Sequence, residues 1–394
     1  MSVTAPKGFR AAAVEAGLKP GRPDLALLVA DRPCAAAGVF TTNRAQAAPV
    51  VVSREHLRGG QARAVVVNAG CANAATGERG LADAREMASL CATAVGCRSE
   101  EVVVASTGVI GVHLPMDKVR AGIGRAAAAL SGDGGALAAR AIMTTDTRPK
   151  EVTVAFSVGG VTARVGAMAK GSGMIAPQMA TLLAIFTTDA GVEPPLLRRA
   201  LADAVGEGLN RITVDGDTST NDMAVVLASG AVGAGTVIGE GPGFRAFRDA
   251  LSQASRALAE MIVRDGEGAS RIAEVRVLGA RTAAEADRVA RTIAESPLVK
   301  TALHGGDPNW GRILAAAGRS GVDIDADRVG IWIGEVWVAE NGQARDYSEE
   351  TAHEAMTADP VRIRVHLGQG EGAGWMWTCD LTHGYVDINA HYRS

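Results

Sequence analysis

Apolar residues recur along this chain with two different periods. Short runs rich in Val, Ile, Leu and Ala, the pattern of strands that bury one or both faces, occur at 64–67, 102–105, 152–156, 182–186, 223–228, 274–278, 329–338 and 361–367. Stretches at helical spacing lie between them: 81–95, 116–130 directly after Pro115, 196–205 after Pro194 and Pro195, 244–263 and 282–293. Strands and helices mixed over the whole length predict an α/β or α+β enzyme. No internal repeat and no low-complexity linker interrupts the pattern.

The length, 394 residues, suits two or three lobes or one large elaborated domain. Hydrophobic types make up 47% and charged types 21%, which excludes wholesale disorder and fibrous or disulfide-dense classes. Lys plus Arg number 40 against 43 Asp plus Glu, so bulk charge offers nothing to a polyanion, and neither nucleic acid nor membrane is an expected partner. Five cysteines without a CxxC pair argue against a disulfide framework and a zinc site and favour a reducing compartment. The opening residues lack an apolar signal-peptide core and no stretch approaches a membrane span, so a cytoplasmic protein is expected. All five Trp fall between Trp310 and Trp377, which predicts a different core chemistry for the last quarter.

Common catalytic signatures are absent: no Walker loop, no GxSxG, no HExxH. Gly368, Gly370 and Ala373 satisfy GxGxxA without the following helix that a dinucleotide site needs, and Asp215, Asp217 and Ser219 start a calcium-loop pattern whose twelfth position is Val226. What remains is a set of hydroxyl-rich loops: 105–107 before Gly108, 143–147, 179–181 and 215–222. Such loops ordinarily make turns and caps, but four together point to chemistry. The Gly-rich loop of 169–190 carries no charge after Lys170 until Asp189 and leads into an apolar strand, with Thr181 at the junction. A Thr nucleophile needs a base, and no His adjoins it in sequence. A chain-terminal amine, with a pKa of about 7.7–8.0, is one solution, and it requires a cut immediately before the Thr.

The segment KGSGMIAPQMATLLAIFTTDA, with ASTGVIG, MTTDT, DGDTSTND, DGEGAS, SPLVKTALHGGDPNWGR and YVDINAHYRS, resembles the ornithine acetyltransferase (glutamate N-acetyltransferase) family of arginine biosynthesis. The blocks run in that family's order from GFRAAAVEAGLK to the last residue. The resemblance implies self-cleavage of the Ala180–Thr181 bond into an α chain, 1–180, and a β chain, 181–394, the latter with a C-terminal lobe from about residue 275. It implies an α/β (α+β) fold, a layered αββα-type sandwich with a smaller C-terminal α/β lobe, and an α2β2 heterotetramer.

By the same resemblance Thr181 is the nucleophile, and Thr107 and Gly108 stabilise the oxyanion. Thr147, Lys170, Thr181, Glu267, Asn389 and Ser394 bind substrate. Lys170 suits a carboxylate and Glu267 an ammonium. The implied activity is ping-pong acetyl transfer from N2-acetylornithine to glutamate, with no metal or bound cofactor and with acetyl-CoA as a further donor in bifunctional members. Gln178, Ser270 and Arg271 depart from the family's usual Asn, Thr and Lys, which bears on substrate preference. The rival readings are an amidase or aminopeptidase with water as acceptor, a paralogue acting on another acetylated amino acid, and a non-catalytic binding protein.

Overall fold

The computed structural model describes residues 2–176, 182–233, 236–237 and 239–391, the backbone alone at 236–237. The strands are β1 (Phe9–Val14), β2 (Leu25–Phe40), β3 (Gln61–Cys71), β4 (Val102–Val109), β5 (Lys150–Val158), β6 (Val161–Lys170), β7 (Leu183–Thr188), β8 (Gly191–Val192) and β9 (Ile212–Thr213). They continue with β10 (Met223–Ala228), β11 (Thr236–Val237), β12 (Ile272–Ala280), β13 (Gly330–Ile333), β14 (Val336–Glu340), β15 (Gln343–Ala344), β16 (Val361–His366) and β17 (Gly372–Cys379). The helices are α1 (Ala48–His56), α2 (Gly77–Val95), α3 (Met116–Ala128), α4 (Gly135–Ala141), α5 (Pro194–Glu207) and α6 (Pro242–Arg264). They are followed by α7 (Ala283–Ala294), α8 (Pro297–Gly305), α9 (Trp310–Gly318), α10 (Glu349–Met356) and α11 (His383–His391). No helix among the described residues is long and apolar enough to cross a membrane.

Two compact units divide the chain. The first runs to Asn210 and resumes over Thr218–Ile262; the second takes Arg211–Asp217 and the residues from Val263 on. The loop ahead of β12 is tied into the second unit: Ser270 and Arg271 donate their backbone N–H groups to Asp380 at 2.8 and 3.1 Å.

The first unit is built on an eight-stranded sheet in the order β4-β3-β2-β10-β7-β6-β5, with β1 also on β2. The pivot is β2. Its first half pairs with β1 and β3, its register with β3 shifts between Val29 and Cys34, and residues 35–40 pair with β10. Strand alternation then sorts the side chains into layers. Ala26, Leu28, Val65, Val67, Val103 and Ala105 of one half share a core with Met168, Leu183, Ile185, Met223, Val225 and Leu227 of the other. The intervening residues Leu27, Val29, Val66, Val102 and Val104 turn the opposite way, onto Met87 and Cys91 of α2 and Val119 and Ile123 of α3. On the far side Ala184, Phe186, Ala224 and Val226 are buried, and α5 packs on β2 and β10. The order of layers is therefore helix, sheet, sheet, helix, the αββα sandwich. Each buried Val or Leu contributes about 1.5–3 kcal/mol, so a one-residue slip that reversed a strand's faces would be strongly disfavoured.

The second unit has a seven-stranded sheet, β15-β14-β13-β16-β12-β17-β9, one face of which packs on α7 to α10 through Val275, Val277, Ile331, Ile363, Val289, Ile293, Leu303, Ile313 and Met356. The Trp residues do not form this core. Trp310 packs against it, whereas Trp332, Trp337, Trp375 and Trp377 alternate to the other face and are half-buried. There Trp332 stacks on Trp337 at 5.0 Å, with Arg345 and Arg364 over the two rings. Long Arg stems cover the indoles while their charged ends keep water, which shields this apolar surface. The single run expected at 329–338 is a hairpin. Ile333 pairs with Val336 around a two-residue turn, and Gly334 takes φ +57°.

Candidate active site

β4 runs parallel to β3, with Thr107 opposite Ala69 and Gly108 opposite Gly70, and the register breaks where Cys71 pairs with both Thr107 and Val109. That bulge ends the regular ladder at Gly108, directly after Thr107, which is buried. Gly108 has φ +130°, and a Cβ there would meet the Gly70 carbonyl carbon at 2.3 Å and the Cys71 nitrogen at 2.6 Å. Only glycine lets the two backbones approach this closely. The corner is braced by side chains: Ser106 donates its hydroxyl to Asn68 at 2.6 Å, and the Asn221 amide donates to the carbonyls of Ala72 and Ser106 at 2.6 and 2.9 Å. With the Ser106 carbonyl held, the plane of its peptide bond to Thr107 is fixed.

Lys170 ends β6 opposite Leu183 of β7 and is 9% exposed. Its setting depends on Asp146, whose side chain is fully buried. Asp146 accepts from the Lys150 ammonium at 2.7 Å, the Gly171 backbone at 2.7 Å and the Thr144 backbone at 2.9 Å. Burial opposes the charged carboxylate, but Lys170, Lys150 and these hydrogen bonds outweigh it and hold its pKa at about 2. Lys19 is a further cation of this neighbourhood, its ammonium donating to the Met143 and Ala141 carbonyls at 2.7 and 3.1 Å. Burial, with Arg22 adding to it, lowers its pKa to about 8.

Thr107, Lys170, Ile175, Leu182, Ser219, Asn221 and Asp222 line one pocket of the first unit. The chain on either side of 177–181 is anchored at this pocket. Ala176 accepts from the Thr218 hydroxyl at 2.9 Å, and Leu182 accepts from the Met223 backbone at 3.0 Å. Gly108 follows Thr107 at the corner. Thr147 is exposed, next to the buried Asp146, and is not among the residues lining the pocket.

Glu267 and Asn389 belong to the second unit, where the structure joins them directly: the Asn389 amide donates to the buried Glu267 carboxylate at 2.7 Å. Tyr385, one turn before Asn389 on α11, reaches Asp215 at 3.4 Å. Burial, then the charges of Asp215, Glu267 and Asp217, push its phenol pKa well up. Ala180, Thr181 and Ser394, and the departure at Gln178, lie outside the described residues. Sequence reasoning singled out neither Asp146, Lys19, Asn221 nor Asp222. Three of the four sit inside blocks it had marked, MTTDT and DGDTSTND, and Lys19 closes GFRAAAVEAGLK.

A glycine corner beside a strand end, with a buried lysine and fixed amides at a small polar pocket, is equipped to hold a carboxylated ligand and to stabilise charge on an acyl oxygen. Comparison with known proteins agrees with this class. The ArgJ family model matches residues 10–394. The arginine biosynthesis bifunctional protein ArgJ of Symbiobacterium thermophilum is 51% identical over all of this chain and 98% of its own length. Its counterpart from Parasynechococcus marenigrum is 47% identical over all of this chain and 95% of its own. Among solved structures, the ArgJ crystal structure from Bacillus halodurans matches with a TM-score of 0.51 and 47% identity, over 53% of this chain and 98% of that one. The chain belongs to the ArgJ family and is an acyltransferase of arginine biosynthesis.

Proposed function

We propose that the enzyme cleaves itself between Ala180 and Thr181 and then moves an acetyl group from N2-acetylornithine to glutamate through an ester on Thr181. The observation that carries this reading is the pocket in which Thr107 and Lys170 meet Leu182, the residue that follows Thr181 in the chain. In the first half-reaction the new α-amine takes the Thr181 hydroxyl proton, Oγ bonds to the acetyl carbon, and Thr107 and Gly108 stabilise the oxyanion. The amide C–N bond breaks and ornithine leaves with the proton on its amine. In the second, the glutamate amine attacks the ester, N-acetylglutamate departs and the hydroxyl is restored. Lys170 pairs with a substrate carboxylate, Glu267 and Asn389 take the ammonium end, and Thr147 and Ser394 complete the binding set. Acetyl-CoA serves as a second donor to glutamate, and the two pieces assemble as an α2β2 heterotetramer.

Self-cleavage also has support from the Bacillus halodurans structure. Its chain is matched almost whole yet spans 53% of this one, about the share that residues 181–394 make up. The test is intact mass under denaturing conditions together with an acetyl-transfer assay. Purified precursor of 40.3 kDa is expected to convert to two pieces without added protease, and Thr181→Ala is expected to remain one chain and inactive. Full activity in that variant would sink the reading, and acetate release without glutamate acetylation would assign the enzyme to hydrolysis instead.

A further inference from the structure

Glu267 stands on a segment of the second unit that is clamped to the chain just before α11. The outer part of the clamp is the buried Asp380, which accepts the Ser270 hydroxyl at 2.5 Å as well as the two backbone N–H groups of 270 and 271, and whose own N–H donates to the Arg271 carbonyl at 3.1 Å. The part nearest Glu267 is Thr382, the residue before α11. Its hydroxyl donates to the carbonyl of Gly268, the neighbour of Glu267, at 2.6 Å, and accepts the Gly384 N–H in the first turn of α11 at 3.0 Å. The two backbones touch here: Gly268 has φ +68°, and a Cβ on it would meet the Tyr385 nitrogen at 2.3 Å. Capping α11 takes only a lone pair of the Thr382 oxygen. Its single hydrogen goes to the segment that carries Glu267, so one hydroxyl joins both sides of the Glu267–Asn389 pair.

We propose, resting on the ammonium-binding role given to Glu267 above, that Thr382 is a positioning residue: its hydroxyl holds the Glu267 carboxylate beside Asn389, set to receive the side-chain ammonium of N2-acetylornithine. With the Gly268 carbonyl held, the backbone one residue from Glu267 cannot drift from the helix that carries Asn389. Glutamate ends its side chain in a carboxylate, which Glu267 cannot pair with. Loss of the hydroxyl therefore falls on one substrate and not on the other, and on binding and not on the chemical step.

The experiment compares the full chain with Thr382→Val, Thr382→Ser and Glu267→Gln by melting temperature, kcat, and KM for each of the two substrates. Thr382→Val is expected to raise KM for N2-acetylornithine about 3- to 10-fold, the loss of one hydrogen bond, with kcat and KM for glutamate within about twofold of the parent. Thr382→Ser keeps the hydroxyl and is expected to bring KM for N2-acetylornithine back to within about twofold of the parent. An unchanged KM in Thr382→Val overturns the proposal, as does a rise for both substrates together, a fall in kcat, or a Ser variant that behaves like the Val variant. Should Thr382→Val fail to fold or to cleave, Thr382→Ala, which removes the hydroxyl and adds no methyl, decides; failure of both makes the residue structural and overturns the proposal. A parental KM in Glu267→Gln brings down the ammonium role of Glu267 and this inference together. A raised KM in Glu267→Gln beside a parental Thr382→Val brings down this inference alone.

Discussion

Asp146 accepts the backbone N–H of Gly171 at 2.7 Å, across 25 residues of sequence, and so ties the chain directly after Lys170 to the loop before β5. The same oxygen holds the ammonium of Lys150, which is 1% exposed. Lys170 therefore stands on a strand end whose continuation is set by a buried ion pair.

Removing that anion should be costly. Asp146→Asn takes from the buried Lys150 the carboxylate it pairs with at 2.7 Å, and about 3–5 kcal/mol of stability should be lost at neutral pH. The parent should show a matching acid sensitivity. A carboxyl held at about 2 in the folded state, below its usual 3.8, adds stability that is complete above about pH 4 and is lost as the pH falls toward 2. That contribution is on the order of 2 kcal/mol. Urea unfolding at neutral pH and at pH 3 checks both, with Asp146→Asn expected to lack this part of the pH dependence.

Gly108→Ala tests the corner. Its Cβ would fall 2.3 Å from the Gly70 carbonyl carbon at a φ of +130°, so the backbone and not a mobile side chain must yield. If Gly108 and Thr107 stabilise the oxyanion, moving them should lower kcat by about 10²–10³. Steady-state rates on correctly cleaved, folded variant are the measurement, and a rate near the parent's would remove this corner from the mechanism.

The sheet skeleton was legible in sequence where strands are short and apolar: the run 223–228 is β10 itself, and 102–105 and 361–367 fall on β4 and β16. β2 was not, because Asp31, Arg32 and Pro33 interrupt its middle and Ala and Gly dilute its second half. Its strand character comes from partners on both sides, a tertiary effect that no local pattern carries. The site divides in the same way. Thr107, Gly108 and Lys170 stand at the ends of strands, where a motif can be seen. Asp146 and Asn221 act through bonds to residues far off in sequence, and their roles became visible only when those partners were in place.

The hairpin of β13 and β14 gives a test of the corrected reading of 329–338. Gly334→Val puts a β-branched residue at φ +57°, and even its Cβ would stand 3.2 Å from that of Ala355. A destabilisation of at least about 1–2 kcal/mol is expected, seen as a lowered urea midpoint with the slope unchanged. Glu335→Val, beside it in the turn, should cost less. Equal costs at the two positions would argue for a continuous strand.

Glu267→Gln separates charge from shape in the second unit. The amide retains an oxygen that can accept from Asn389, as Glu267 does at 2.7 Å, so stability should change little. What disappears is the negative charge for a substrate ammonium. A charge-assisted hydrogen bond contributes about 1.5–3 kcal/mol, so KM for N2-acetylornithine should rise about 10- to 100-fold while kcat stays within about threefold. Asn389→Ala should give a smaller rise, because it removes a neutral group that orients Glu267 and leaves the charge in place. If instead kcat falls and KM holds, Glu267 acts on the reacting atoms, and its assignment to the ammonium must be given up.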